Sequence, residues 1–221
     1  MSRPPRLWHS RGYLPHFDSP TAIQALTFRL ADSLPASVID GWRKELGPSD
    51  AKSDAVLRRR IAKWEDAGHG SCLLANPDHA TVVEEALLHF DGERYRLLDW
   101  CVMPNHVHVI LGQRDGEALD RIVKSWKSYT AKIINAAEGQ GGTFWARDYY
   151  DRFIRDEDHL WEARRYTREN PVRAGLCENA EDWRFGSAWS GREFPGSAGL
   201  QTGIPGTAGL QTGSQGPFWP V

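Results

Sequence analysis

Hydrophobic residues recur along this chain with two different spacings, and the spacings separate expected helices from expected strands. A repeat of three and four residues puts apolar side chains on one helix face, and it is clearest where Ile122, Trp126 and Ile133 follow one another. Helices are predicted over residues 36–46, 55–67, 77–90, 119–137 and 159–169. Strands are predicted over residues 23–30, 94–102 and 106–112, with a further short strand within 143–155.

Two of the predicted helices carry residues that are expected to set their ends. Asp78 is expected to cap the helix of residues 77–90, because a carboxylate can accept the free N–H groups of a first turn. Asn170 and Pro171 are expected to end the last helix, because proline has no N–H and disfavours a helical residue before it.

The strand of residues 106–112 carries the chain's strongest chemical pattern, Met-Pro-Asn-His-Val-His-Val-Ile-Leu. Side chains alternate along a strand, so His106 and His108 share one face while Val107 and Val109 point into a core. Two adjacent imidazoles can chelate a divalent metal, which could polarise a phosphate. The alternative is a pair of ordinary surface histidines. Under the metal hypothesis, we expect the pair to face a solvent-accessible cleft.

Tyr166 and Asn170 form a second candidate pair, because residues four apart share a helix face. The tyrosine hydroxyl could attack a phosphate, and the asparagine oxygen could be a third metal ligand. The alternative is that Tyr166 packs at a half-buried position and Asn170 merely ends the helix. The histidine pair favours the chemical interpretation.

Composition limits the classes of protein that the chain can represent. Its net charge of -2 means that any nucleic-acid surface is local. Three widely spaced cysteines, Cys72, Cys101 and Cys177, predict no disulfide framework and indicate a reducing, cytoplasmic environment. Neither a membrane-spanning apolar run nor a signal-peptide core is present, so no membrane partner is expected.

Positive charge is concentrated on two predicted helices. Such clusters are usually solvated helix faces, but they can also contact DNA phosphates, while exposed aromatic rings can stack on unpaired bases. The DNA contacts predicted here are Arg121, Lys124, Lys127, Lys132, Trp145, Tyr149 and Arg152. A second basic cluster consists of Arg58, Arg59, Arg60 and Lys63.

Three motifs in a fixed order resemble the REP-associated tyrosine transposases of the single-tyrosine HUH (IS200-like) superfamily. They are MPNHVHVIL, WKSYT and FWARDYYDRFIRDEDHLWEARRYTRENPVRAGL. The resemblance covers about residues 20–190. It implies an α+β, ferredoxin-like (RRM-like) domain, in which helices pack on an antiparallel sheet that carries the histidine pair.

The same resemblance implies the roles of the site residues. Tyr166 would be the nucleophile, and His106 and His108 would hold Mg²⁺ or Mn²⁺ with Asn170 as the third ligand. Related insertion-sequence transposases carry glutamine at that last place, and this chain carries asparagine. The implied substrate is single-stranded DNA with palindromic hairpins, cleaved through a 5′-phosphotyrosine by a monomer or homodimer.

The chain is expected to divide into three parts. Residues 1–20 are expected to be flexible, residues 21–190 to form the catalytic domain, and residues 191–221 to be disordered. The last part is rich in Gly, Ser, Thr and Pro, and it repeats the hexapeptide AGLQTG with a ten-residue period. Two copies are too few for a stacked repeat fold.

Three other functions compete with the strand-transfer enzyme. A protein of the same fold could bind DNA hairpins without cleaving them, although Tyr166, His106 and His108 favour the enzyme. An RNA-binding module would need an aromatic-rich strand, which residues 106–112 lack. A metal hydrolase using Cys101 with the two histidines is a weak alternative, because Cys101 lies before the turn and no nearby carboxylate completes the site.

Overall fold

A computed structural model describes residues 8–10, 15–17, 22–48 and 50–191. The strands are β1 (Trp8–Ser10), β2 (Pro15–Phe17), β3 (Ile23–Arg29), β4 (Tyr95–Val102), β5 (His106–Gln113) and β6 (Tyr150–Phe153). The helices are α1 (Ala36–Leu46), α2 (Ala51–Asp66), α3 (Pro77–His89), α4 (Leu119–Ala137) and α5 (Glu157–Arg173).

Four strands form an antiparallel sheet in the spatial order β4–β5–β3–β6. Chain order runs β3, helices, β4, β5, α4, β6, which is the ferredoxin-like arrangement with α1 and α2 inserted after the first strand. The predicted α+β class is therefore confirmed. Strand β5 pairs with both β4 and β3, and its side chains are buried on both faces, as its nearly continuous apolar character predicts.

The two faces of the sheet are covered by different helices. Val107 and Val109 point to one face, where they join the main apolar core with residues of α3 and α4. Ile110 points to the other face, where it packs with Ala163 of α5. Because side chains alternate, His106 and His108 lie on the α5 face.

Three helix ends differ from the predictions. Helix α2 begins earlier, because Asp50 caps it in a capping box with Ser53. Asn76, and not Asp78, caps α3 by accepting the Asp78 N–H. Helix α5 continues through Pro171, because a proline this close to the end of a helix removes only one of its last backbone hydrogen bonds.

The N-terminal segment that was expected to be flexible contains the antiparallel pair β1–β2, and β2 contacts β6. The predicted disordered tail, with its AGLQTG repeat, lies outside the described residues apart from Gly191. No helix in the described part of the chain is long and apolar enough to cross a membrane.

Candidate active site

His106 and His108 bring their imidazole rings together on the α5 face of β5. Their Nε2 atoms are 2.9 Å apart, and both side chains are buried. His106 Nδ1 lies 2.7 Å from Asn105 Oδ1. His108 Nδ1 lies 3.0 Å from the Thr27 hydroxyl on the neighbouring strand. Each ring therefore has its Nδ1 atom held by the protein and its Nε2 atom turned towards the same point.

Asn105 determines which nitrogen of His106 carries the proton. Its Nδ2 donates to the carbonyl oxygens of Glu65 and His69, at 3.1 and 2.9 Å, so its Oδ1 must face His106. An oxygen can only accept, and His106 Nδ1–H therefore donates to it. The lone pair of His106 then lies on Nε2, which is the atom a metal would need.

Burial keeps both histidines neutral. It lowers the pKa of His106 well below 6.5, with a further contribution from His108. Burial and the charge of Arg173 lower the pKa of His108 to about 3. The expectation of a solvent-accessible cleft is therefore wrong for the imidazoles, because α5 packs over this face of the sheet. Neutral imidazoles are nevertheless the form that binds a metal.

Asp66, at the end of α2, is the site residue that the sequence analysis missed. Its Oδ1 atom is 4.0 Å from His106 Nε2, and its side chain is 21% exposed. Asp66, His106 and His108 form a group whose potential ligand atoms all lie within 4.8 Å of one another. The expectation that no carboxylate lies near the histidine pair is therefore wrong. Cys101, the residue proposed for a metal hydrolase, is not part of this group.

Tyr166 lies beside the histidine pair in the same chain. Its ring meets the His108 ring edge to face, with centroids 5.5 Å apart. The Arg173 guanidinium lies 4.8 Å from the centroid of the tyrosine ring. Burial raises the pKa of the Tyr166 hydroxyl, and the Asp66 carboxylate raises it further. The side chain is therefore a neutral phenol that needs help to lose its proton as it reacts.

Asn170 is fully buried one helical turn after Tyr166. Neither polar atom of its amide makes a hydrogen bond of normal geometry to another described group, and the same is true of Asp66 Oδ1. The two side chains are neighbours: burial raises the pKa of Asp66, while Arg173 and the Asn170 amide oppose that shift. Unpartnered buried polar atoms are costly, so these two groups suit an additional ligand.

Asp99 holds the tyrosine-bearing helix against the sheet. It lies on β4, is completely buried, and accepts hydrogen bonds from Arg164 and Arg168 of α5. The Ser187 hydroxyl donates to the same carboxylate, 2.9 Å away. The two arginines flank Tyr166 in sequence, so this ion-pair cluster fixes the position of the segment that carries the phenol.

The basic residues of α4 lie on the side of the sheet opposite the histidines, because α4 packs on the main core. Arg121, Lys124 and Lys132 are exposed there, as predicted for DNA contacts. Lys127 differs, since its ammonium group donates to the carbonyl oxygens of Ala146 and Asp148 at 3.0 and 3.1 Å. Burial lowers the pKa of Lys127 to about 8. Lys127 therefore holds the loop that contains Ala146 and Asp148 against α4.

The two aromatic residues predicted to stack on bases are buried. Trp145 is 5% exposed and donates its indole N–H to Thr130, and Tyr149 is 7% exposed. Neither ring is available to an unpaired base in this conformation, because the main core encloses both. The exposed aromatic ring on α5 is that of Trp161, which is 61% exposed.

Arg152 lies on the same face of the sheet as the histidines. It is opposite Ala25 in the register of β6 with β3, and Tyr150 is opposite Thr27. Arg58 and Arg155 lie close enough for their charges to lower the pKa of Arg152, a shift that comes first from its burial. Positive charge is therefore present on the histidine face of the sheet as well as on α4.

Comparison with known proteins gives a consistent family likeness. Residues 78–170 match the family described as "Transposase IS200 like". A curated Haemophilus influenzae protein named as a REP-associated tyrosine transposase is 26% identical over 97 residues, covering 39% of this chain and 55% of that protein. The chain thus matches about half the length of that relative.

A solved structure described as a REP-associated tyrosine transposase bound to a REP hairpin shares the fold. It aligns with a TM-score of 0.53 at 17% identity, covering 86% of this chain and 98% of the other. The resemblance drawn from the sequence motifs is confirmed by these likenesses. The matched segment includes His106, His108, Tyr166 and Asn170.

Proposed function

From this similarity to REP-associated tyrosine transposases, we propose that the chain nicks and rejoins single-stranded DNA next to hairpins, with residues 21–190 as its catalytic domain. The observation that carries the proposal is the contact of the Tyr166 ring with His108, at 5.5 Å between centroids. A potential nucleophile and a potential metal site meet within one chain. This placement supports catalysis without a tyrosine from a second copy.

The residues around the histidine pair suit a divalent cation. His106 and His108 present Nε2 atoms to one point, and the buried Asn170 amide has no partner of normal geometry among the described groups. Imidazole and amide oxygen together suit Mg²⁺ or Mn²⁺, of which Mn²⁺ tolerates nitrogen ligands better. When bound, such an ion would neutralise charge on a phosphate and so favour nucleophilic attack.

Tyr166 supplies the nucleophile of the covalent step. The Tyr166 oxygen attacks the phosphorus, the bond to the 3′ oxygen breaks, and a 5′-phosphotyrosine and a 3′-hydroxyl result. The phenol proton leaves with the departing 3′ oxygen or with solvent. In the second step, a 3′-hydroxyl attacks the phosphotyrosine, and the tyrosine oxygen recovers a proton. The number of phosphodiester bonds is conserved, so strand transfer needs no external energy source.

Two basic surfaces are proposed to hold the substrate. Arg152, with Arg58 and Arg155 nearby, lies on the histidine face and would contact phosphates close to the cleaved bond. The exposed Arg121, Lys124 and Lys132 on α4 would contact DNA farther from the site. Their contribution should be sensitive to salt, because phosphate contacts release counterions.

The test is an adduct assay with labelled single-stranded DNA hairpins taken from the flanks of the chain's own gene. Cleavage and a covalent protein–DNA band are expected with Mn²⁺ or Mg²⁺, and both should be lost in excess chelator or with His108→Ala. Tight hairpin binding without any adduct would instead identify a hairpin-binding protein that has lost catalysis. Cleavage at full rate in excess chelator would refute the metal-dependent mechanism.

A further inference from the structure

We propose that Asp66 is a ligand of the same divalent cation as His106 and His108, so that the inserted helix α2 completes the metal site. The inference rests on the proposed function only in taking the histidines as ligands. Asp66 precedes residues 78–170, which match the transposase family, so the family match does not assign it. The assignment of Asp66 as a ligand rests on the geometry around the histidine pair.

The position of the carboxylate is the first argument. Asp66 Oδ1 is 4.0 Å from His106 Nε2, and the three potential ligand atoms lie within 4.8 Å of one another. Two ligands of a single cation are separated by about 3–4 Å, since each metal–ligand bond is near 2.1 Å. Small side-chain rotations would bring all three atoms to one ion.

The unpartnered atoms around this point are the second argument. Asp66 Oδ1 is buried and makes no hydrogen bond of normal geometry to a described group, although the rest of its side chain reaches solvent. Asn170 is fully buried beside it, and both of its amide atoms are equally without a partner of normal geometry. A cation bound here would satisfy oxygen atoms that come from two different helices.

The third argument is that the protein fixes the end of α2 against the histidine strand. Asn105 donates to the backbone carbonyls of Glu65 and His69, on either side of Asp66. The same asparagine accepts the hydrogen bond that orients His106. Arg29 contacts Glu65 at 3.7 Å and pairs in register with His106. Asp66 is therefore positioned by residues that also position the histidine.

Asp66 would add a negative charge to a set of ligands that is otherwise neutral. The two imidazoles and the amide are neutral, whereas Asp66 would bring a negative charge to a hard cation that prefers carboxylate oxygen. Removing that charge while keeping the shape should weaken metal binding strongly. A loss of at least about tenfold in Mn²⁺ affinity is expected, which is the lower end of the effect of disturbing a metal site.

The experiment measures Mn²⁺ binding to the full chain without DNA, by titration calorimetry and by the electron paramagnetic resonance of free Mn²⁺. Asp66→Asn should bind Mn²⁺ at least about tenfold more weakly than the unchanged protein, and Asp66→Glu should recover part of the loss. Asp40→Asn, an exposed acid on α1, is the matched control and should bind normally. Circular dichroism verifies that each variant is folded.

Each outcome separates this inference from the proposed function. If Asp66→Asn binds Mn²⁺ as tightly as the unchanged protein while His108→Ala does not, the histidine site stands and Asp66 is not a ligand. If the unchanged protein binds no Mn²⁺ and still forms the DNA adduct in chelator, the metal site itself is wrong. Weaker binding in both Asp66→Asn and His108→Ala, with normal binding in Asp40→Asn, supports the proposal.

Discussion

The Tyr166 ring meets the His108 ring edge to face, with centroids 5.5 Å apart, although the two residues belong to different elements. His108 lies on the central strand β5, and Tyr166 lies on the last helix, α5. Helix α5 packs on β4 and β5, which brings both residues to one place within a single chain. A single copy of the chain therefore holds the candidate nucleophile beside the candidate metal site.

Tyr166→Phe should abolish the covalent protein–DNA adduct, because it removes only the attacking oxygen and keeps the ring against His108. A loss of at least about 1,000-fold in cleavage is expected, as for other removed nucleophiles. Hairpin affinity, measured by fluorescence anisotropy, should change by less than about twofold, since a buried hydroxyl contributes little to DNA contacts.

Tyr150→Phe is the matched control for that prediction. Tyr150 lies on the same face of the sheet, opposite Thr27 in register. The control should still form the adduct at a rate close to that of the unchanged protein. An adduct that survives in Tyr166→Phe and disappears in Tyr150→Phe would show that the nucleophile has been assigned to the wrong tyrosine.

Asp99→Asn should loosen helix α5, because Asp99 accepts hydrogen bonds from both Arg164 and Arg168. Removing the buried charge should lower the free energy of unfolding by about 2 kcal/mol. This is less than the loss expected for breaking a fully buried ion pair, because both arginines reach solvent. Hydrogen exchange in α5 should accelerate, and adduct formation should slow more than hairpin binding weakens. Unchanged exchange in α5 would show that Asp99 does not hold the helix.

Arg173→Ala should slow adduct formation by about 100-fold, the size of effect seen when one charge-stabilising donor is removed. The guanidinium is exposed and lies 4.8 Å from the Tyr166 ring centroid, where an incoming phosphate would meet it. Arg173→Lys should retain part of the rate because it keeps the charge. Arg114→Ala changes an exposed arginine just after the end of β5, serves as the control and should react normally.

Local spacing was sufficient to predict much of this structure. The bounds of α1 and α4 agree with the periodic segments 36–46 and 119–137. Helix α4 buries its apolar face along most of its length, whereas α1 buries only Ile39. The two-residue spacing of the histidines and the four-residue spacing of Tyr166 and Asn170 also predicted which side chains would share a face. Such patterns depend only on the geometry of one element.

Contacts between distant elements could not be predicted in this way. Asp66 lies near His106 because Asn105 binds one carbonyl in the last turn of α2 and another just after it, and no local pattern links residues forty positions apart. Three of the basic residues predicted for the polar side of α4 are exposed, namely Arg121, Lys124 and Lys132. Lys127 is not, and the place of α4 opposite the histidines follows from sheet topology. Likewise, an aromatic residue such as Trp145 gives no indication in the sequence of whether it is buried.

Trp161→Ala should weaken binding to a hairpin with a single-stranded extension by about 5- to 100-fold, the range for losing one stacked base. Trp161 is 61% exposed on the helix that carries Tyr166, whereas Trp145 is enclosed in the core. Tyr129→Ala removes a ring that is 52% exposed on α4 and is the matched control. Equal losses in both variants, measured by anisotropy, would argue against stacking at Trp161.

The final prediction concerns Thr27, whose hydroxyl lies 3.0 Å from His108 Nδ1. A metal bound through Nε2 requires the His108 proton to be on Nδ1, where it would donate to this hydroxyl. Thr27→Val keeps the branched shape that a central strand favours but removes the acceptor. Mn²⁺ affinity should therefore fall by about tenfold in calorimetry, whereas Thr27→Ser should bind nearly normally. Normal Mn²⁺ binding by Thr27→Val would mean that His108 binds through another atom, or does not bind the ion at all.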